Sequence, residues 1–325
     1  MAKNFTFDGA LMFPFRAAHA RSFIWKYTLA FGVVGTALTG LFIFFAKDAM
    51  FSFVDTMTQL EASGTDDPSV IFGAMARALA TFTPWIVLGT LASWVVWAMF
   101  TTATQRRYIR DEDFSLGFGP DEVRMMGTGF VWYAAQWAFS LIPLLIMWPV
   151  FGSVTDFYDG TITEDQFVRA MFGRVGYVML AMLVTFPLLV FLATRFSPVF
   201  AMTVKEEKVA FGDAWIVSRN RFWPILGAYL IIALVGGMAI GLVSSLAQMI
   251  LMPAMMNMNI VTQDDMPDLR ALFTPAVMIS MLVYMFVRLS LSGLLMHVVH
   301  APAAFAARHD PRGSIDDALR VKDFE

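Results

Sequence analysis

The chain has 325 residues, of which 58% are hydrophobic, and a mean hydropathy of +0.63; a water-soluble globular chain is closer to half apolar, so that class is excluded. The formal net charge of −3 excludes a strongly basic nucleic-acid binder. The absence of cysteine removes disulfides, thiolate nucleophiles and Cys-ligated zinc or iron–sulfur centres in one step.

Apolar runs of about 20 residues are long enough to cross a bilayer core, and the chain carries six. Residues 1–22 read as an N-terminal segment ending in a short interfacial helix, with Phe13, Phe15 and Phe23 apolar and Arg16 and Arg21 toward headgroups. The apolar run that follows is far longer than a signal-peptide h-region, so span 1, about 23–46, is expected to stay in place as a signal anchor. Met50, Phe53, Val54, Met57 and Leu60 recur at helical spacing and predict a separate helix on the far membrane surface over 49–61. Asp66-Asp67-Pro68 punctuates the loop, and a short helix leads into span 2, about 80–102. A polar, charged stretch over 103–124 precedes span 3, about 126–150, which contains Pro143 and Pro149. After an acidic loop over 151–172 comes span 4, about 174–194. A charged connector with Lys205 and Lys208 then predicts a surface helix through Phe211, Ala214, Trp215 and Ser218. Arg219-Asn220-Arg221 and Trp223 mark the interfacial entry to span 5, about 223–252. A third acidic loop covers 253–274, span 6 is about 275–299, and 300–325 is a polar cytoplasmic tail expected to be partly ordered.

Orientation follows from Lys and Arg, which favour the cytoplasmic side. With both ends on one side, seventeen of the 23 basic residues fall there and five on the other, leaving only Arg288 inside a span. The opposite loops hold Asp48, Asp55, Glu61, Asp66, Asp67, Asp156, Asp159, Glu164, Asp165, Asp264, Asp265 and Asp268. The expected placement is a bacterial inner membrane with both termini cytoplasmic.

The outer loops share an acidic, Thr-containing cluster followed by Arg-Ala-Leu or Arg-Ala-Met. It occurs at Thr65-Asp66-Asp67 with Arg77, at Thr163-Glu164-Asp165 with Arg169, and at Thr262 to Asp265 with Arg270. On the inner side Phe13 to Trp25 matches Phe211 to Trp223 at equal spacing, and Gly117-Phe118-Gly119 before Arg124 is a poorer middle copy. Two readings stay open: three tandem two-span repeats in one orientation, or a coincidence among hairpins of similar length. The fold expected is an all-α, six-span bundle of three helical hairpins, with interfacial helices on the cytoplasmic side.

Phe211-Gly212-Asp213-Ala214-Trp215, then Ser218-Arg219-Asn220-Arg221-Phe222-Trp223 leading into Leu226-Gly227, resembles the surface-helix signature of bacterial six-span inner-membrane proteins. Among these is the membrane domain associated with glycerophosphodiester phosphodiesterases. The resemblance implies a bacterial inner membrane. It implies no phosphodiesterase activity, because the catalytic domain is not part of this chain.

Arg288 is the sharpest chemical signal, since an arginine at mid-span costs at least about 2.5–3.5 kcal/mol on insertion scales. The six spans contain no Asp or Glu, which leaves Tyr284, Gln136, Gln248, Ser244, Ser245, Ser290, free carbonyls, water or an external anion as partners. Two readings of Arg288 stay open: a cavity for an anionic headgroup or solute, or a structural arginine satisfied by carbonyls and snorkelling. The same lack of carboxylates argues against a proton-coupled pump. His297 and His300 share a helical face and read as interfacial histidines rather than metal ligands. Pro84 and Pro224 read as span ends. Gly236, Gly237 and Gly241 read as a close-packing stripe, and Met249, Met252, Met255, Met256 and Met258 as adaptable packing rather than a copper site. There is no HExxH, P-loop or Gly-x-Ser-x-Gly pattern. No metal or cofactor is expected. The expected role is a non-enzymatic organiser of membrane partners or lipids, with a protein partner or a second copy in the membrane; the alternative is a lipid or small-anion binder or translocator around Arg288.

Overall fold

The computed structural model describes residues 5–65, 67–249, 251, 252 and 273–315. Among them the chain is helical without strands, and six helices are long and apolar enough to cross a membrane. In chain order the helices are α1 (Phe7–Arg16), α2 (Ala20–Ser63), α3 (Pro68–Arg110), α4 (Pro120–Tyr158), α5 (Glu164–Phe196), α6 (Val199–Glu206), α7 (Phe211–Ser218), α8 (Phe222–Gln248) and α9 (Pro275–Arg308).

Local chemistry sets the boundaries. Thr6 caps α1 by accepting from the Gly9 amide at 3.1 Å, and Thr163 and Gln166 form a reciprocal capping box at the start of α5. Pro275 occupies the first turn of α9, where a missing N–H costs nothing. Chain reversals use left-handed residues: Gly64 and Gly160 after α2 and α4, and Asp111, Glu207 and Asn220 after α3, α6 and α7.

Several expected boundaries are corrected. Residues 49–61 are not a separate surface helix but the end of the 44-residue α2, because neither Gly nor Pro interrupts the chain between Gly40 and Gly64. The short helix before span 2 is likewise continuous with it in α3, and Pro84 lies inside that helix rather than at its end. The charged stretch from 103 begins as helix, which persists to Arg110, and the acidic loop over 151–172 shrinks to a turn between Tyr158 and Glu164. Span 5 closes at Gln248, and Pro224 sits in its first turn. The tail starts later than expected: 300–308 continue α9, with Ala301, Ala303, Ala304, Ala306 and Ala307 all buried. The third acidic repeat with Arg270, and Met255, Met256 and Met258, lie outside the described residues.

Each long helix packs on a neighbour, α2 on α3, α4 on α5 and α8 on α9, and the broadest contact joins α9 to α2. The buried core is not at the middle of the spans. Between 0% and 28% of each span's most apolar window is buried. The core gathers instead at the end that carries both described termini: Phe13 of α1, Tyr108 and Ile109 of α3, Met125 of α4, Val199 to Val204 around α6, Ala214 and Val217 of α7, and Ala301 to Ala307 of α9. Where spans do meet, small residues let them approach. A side chain at Gly293 of α9 would collide with Phe31 of α2, and one at Gly236 of α8 with Leu295 of α9. Lipid offers no hydrophobic gain for joining apolar helices, so close van der Waals contact must supply the cohesion.

Candidate functional site

The residues singled out around Arg288 converge only in part. Arg288 is exposed on α9, and its side chain has no hydrogen bond or ion pair among the described residues; its backbone carbonyl accepts from Ser292 Oγ at 2.9 Å. Tyr284, one turn away, meets Gln248 of α8 at 3.5 Å. These two and Arg288 therefore lie along the α8–α9 seam, with Ser244 Oγ on α8 buried without a hydrogen-bond partner among the described residues. Gln136 lies on α4, whose principal partners are α3, α5 and α6, so it does not join this group. Below Arg288 the seam opens into a cleft of about 370 Å³. Its walls are apolar, among them Leu11 and Phe15 of α1, Ile232 and Ala239 of α8, and Leu291 and Leu295 of α9. Of the glycine stripe, Gly236 makes the close contact, and a side chain at Gly237 or Gly241 would meet nothing within 4 Å among the described residues.

The four residues read as an interfacial entry differ in role. Trp223 and Arg219 are exposed. Trp215 lies beside the Arg195 guanidinium, 4.8 Å from its ring centre. Arg195 Nε and Nη1 are buried there without a hydrogen-bond acceptor among the described residues. Arg221 is half-buried and donates to the carbonyls of Ala306 at 3.0 Å and His309 at 2.6 Å. It caps the last turn of α9, where the helix dipole favours a cation.

The most ordered polar site was missed by sequence reasoning and centres on Arg107, which is wholly buried. Its Nε donates to the Ala18 carbonyl at 3.1 Å and its Nη2 to the Pro14 carbonyl at 2.7 Å. Its Nη1 meets His297 Nε2. No carboxylate forms an ion pair with Arg107 among the described residues, so carbonyls at the C-terminal end of α1 supply the negative charge density. Tyr108 donates its hydroxyl to the His297 carbonyl at 3.0 Å, and Thr104 Oγ1 lies 3.4 Å from His297 Nδ1. An arginine can only donate, so Nε2 accepts and the imidazole is the neutral tautomer with its proton on Nδ1. The rings of Phe23, Tyr27 and Tyr108 surround it, with centres 5.0–5.3 Å from that of His297. His297 is thus a core residue rather than an interfacial one, because α9 continues three turns past it into the packed end. Its signal was available in the sequence: His297, Ala301, Ala304 and Arg308 recur at i, i+4, i+7 and i+11, over an alanine-rich helix former.

Around this centre runs an ion-pair lattice. Asp121 at the start of α4 receives Arg106, Arg110 and Arg124 at 3.2, 2.8 and 3.0 Å. Glu122 receives Arg106 at 2.8 Å. Arg308 forks onto Asp111 at 2.9 and 2.8 Å and reaches the Tyr108 carbonyl at 3.0 Å. Asp310 binds Lys205 of α6 at 3.0 Å and Arg312 at 2.9 Å, and Arg312 continues to Asp213 of α7. Burial alone would raise the Asp310 carboxyl, but Arg312 and Lys205 hold it down at about 2. Arg312, against partial burial, holds Asp213 below the usual carboxylate range, with help from Lys208. The lattice ties α3, α4, α6, α7 and α9 together at one end of the bundle. No group of three or more His, Cys, Asp or Glu residues suited to a metal occurs among the described residues.

No family model matches this chain, and no curated protein or solved structure matches it either.

Proposed function

We propose that this chain is a non-enzymatic organiser of the membrane, which holds membrane partners through its spans and fixes their relative placement with a rigid cap. The carrying observation is the contrast within one molecule: a dense, ion-paired cap at the end bearing the termini, and spans whose apolar faces are largely uncovered. In this reading the pairs α2–α3, α4–α5 and α8–α9 are three tandem hairpins, and α1, α6 and α7 lie at the cytoplasmic surface of a bacterial inner membrane. The Phe211–Trp223 pattern supports kinship with the membrane domain associated with glycerophosphodiester phosphodiesterases. The α4–α5 pair is the expected partner face, because Trp137 and Trp148 point outward at 74% and 67% exposure.

The chain has no native cysteine, so a single Trp137→Cys or Trp148→Cys substitution gives a unique cross-linking position in native membranes. The expected result is one adduct of defined mass, a second copy or one membrane protein. Monomer at both positions, with lipid as the sole neighbour, would contradict the proposal. A second reading, a binder or translocator of a lipid or small anion at Arg288, is favoured by that side chain's exposure beside the Tyr284–Gln248 contact. Arg288→Leu separates the two: it leaves the adduct intact under the first reading and removes a retained anion under the second.

A further inference from the structure

A second basic site lies at the opposite end of the bundle from the cap. A cleft of about 720 Å³ follows α5 there, faced across the helix pair by Ile146 of α4. Its rim carries Arg169 and Arg174, both exposed and both without an ion pair among the described residues. The acidic turn between α4 and α5 is close in sequence, yet neither arginine is neutralised by it. Gly173 sits between Arg169 and Tyr177 at i+4 and i+8, and a side chain there would meet nothing within 4 Å. The missing side chain makes the face concave.

The lining changes with depth. Arg169 and Arg174 come first, Tyr177 follows, and Leu180, Ala181 and Val184 form the floor below. At a rise of 1.5 Å per residue, Arg174 to Val184 spans about 15 Å, roughly half a hydrocarbon core of about 30 Å. Tyrosine between a charged rim and an aliphatic floor is the arrangement that suits a membrane interface. Two unpaired guanidiniums present planar donor forks that match phosphate oxygens. A free anion would use the rim and leave the aliphatic floor unexplained.

We propose that this cleft holds an anionic phospholipid of the leaflet opposite the termini, its phosphate on Arg169 and Arg174 and one acyl chain along Tyr177, Leu180, Ala181 and Val184. The site deepens the organiser reading by naming a lipid and its place. It requires the chain to lie in a membrane but requires no protein partner, so loss of the cross-linked adduct would leave it standing.

The test uses the full chain, delipidated in detergent and titrated with phosphatidylglycerol, phosphatidylcholine or inorganic phosphate, read by native mass spectrometry and thermal shift. Phosphatidylglycerol is expected to be retained at least tenfold more tightly than phosphatidylcholine, and phosphate alone to give no shift. The Arg169→Gln/Arg174→Gln double variant is expected to lose that preference with unchanged unfolding of the lipid-free protein, while Arg169→Lys/Arg174→Lys keeps most of it. Equal retention of the two lipids by the native chain, an undiminished preference in the Gln variant, or protection by phosphate alone would each overturn the proposal.

Discussion

The two ends of this molecule cohere by different means. At the cap, apolar burial and charge act together: Phe13, Tyr108, Val199 and the alanines of α9 form the core, and Arg107, Arg308 and Asp310 are bonded against it. Along the spans, apolar side chains gain nothing from leaving lipid, and contact occurs where a glycine lets a neighbour approach, as at Gly293 and Phe31. Buried contacts concentrate in the cap, and the spans carry most of the exposed apolar surface.

This comparison can be broken at several points. Arg107→Leu removes the donors to Pro14, Ala18 and His297 at one stroke and leaves the Pro14 and Ala18 carbonyls without the guanidinium that satisfied them. It should cost about 3 kcal/mol or more, seen as a large fall in the thermal midpoint in detergent. Arg288→Leu, by contrast, should leave the midpoint unchanged or raise it, since that guanidinium is exposed and bonds to nothing among the described residues.

Next in size is Gly293→Leu, which forces α9 away from Phe31 and should cost about 2 kcal/mol by overpacking. The same substitution at Gly241, where a side chain would meet nothing within 4 Å among the described residues, should be nearly silent in the same unfolding assay. The pair sharpens the claim that close approach, rather than apolar area, joins the spans.

The acid limb tests the cap's charges. Asp310 has a folded-state value of about 2, below its ordinary 3.8. Its contribution is therefore fully present above about pH 4 and is lost as pH falls toward 2. A depression of that size corresponds to about 2 kcal/mol at neutral pH. Asp310→Asn should lower stability by that order at pH 7 and flatten the decline between pH 4 and pH 2, measured as denaturation midpoint against pH. A small effect is also expected from Trp137→Ala, within about 0.5 kcal/mol in the isolated chain, because its ring is 74% exposed.

The six long apolar helices were legible because a bilayer imposes a length and a composition that a single sequence displays openly. The cap was not legible, because hydropathy reads Arg106-Arg107 as the end of a span. Whether a basic pair lies in water or in a core depends on what packs over it, and here α1 and α9 arrive from 90 residues before and 190 after. The polarity of 103–110 therefore concealed a buried face carrying Tyr108 and Ile109. Arg288 misled in the opposite direction: its place in an apolar run is plain in sequence, but its partners depend on helix rotation. The α8–α9 packing brings Tyr284 and Gln248 to the same seam and leaves Gln136 on α4.

The most direct test of the division is amide hydrogen exchange on the full chain in lipid nanodiscs, native and Arg107→Leu, followed at residues 98–110, 199–206 and 297–308. These cap segments should exchange as slowly as global unfolding permits in the native protein. In the variant they should lose protection together, while the lipid-covered centres of α2, α5 and α8 keep theirs. Cap amides that exchange in the native chain as fast as the open connection over 111–119 would contradict it.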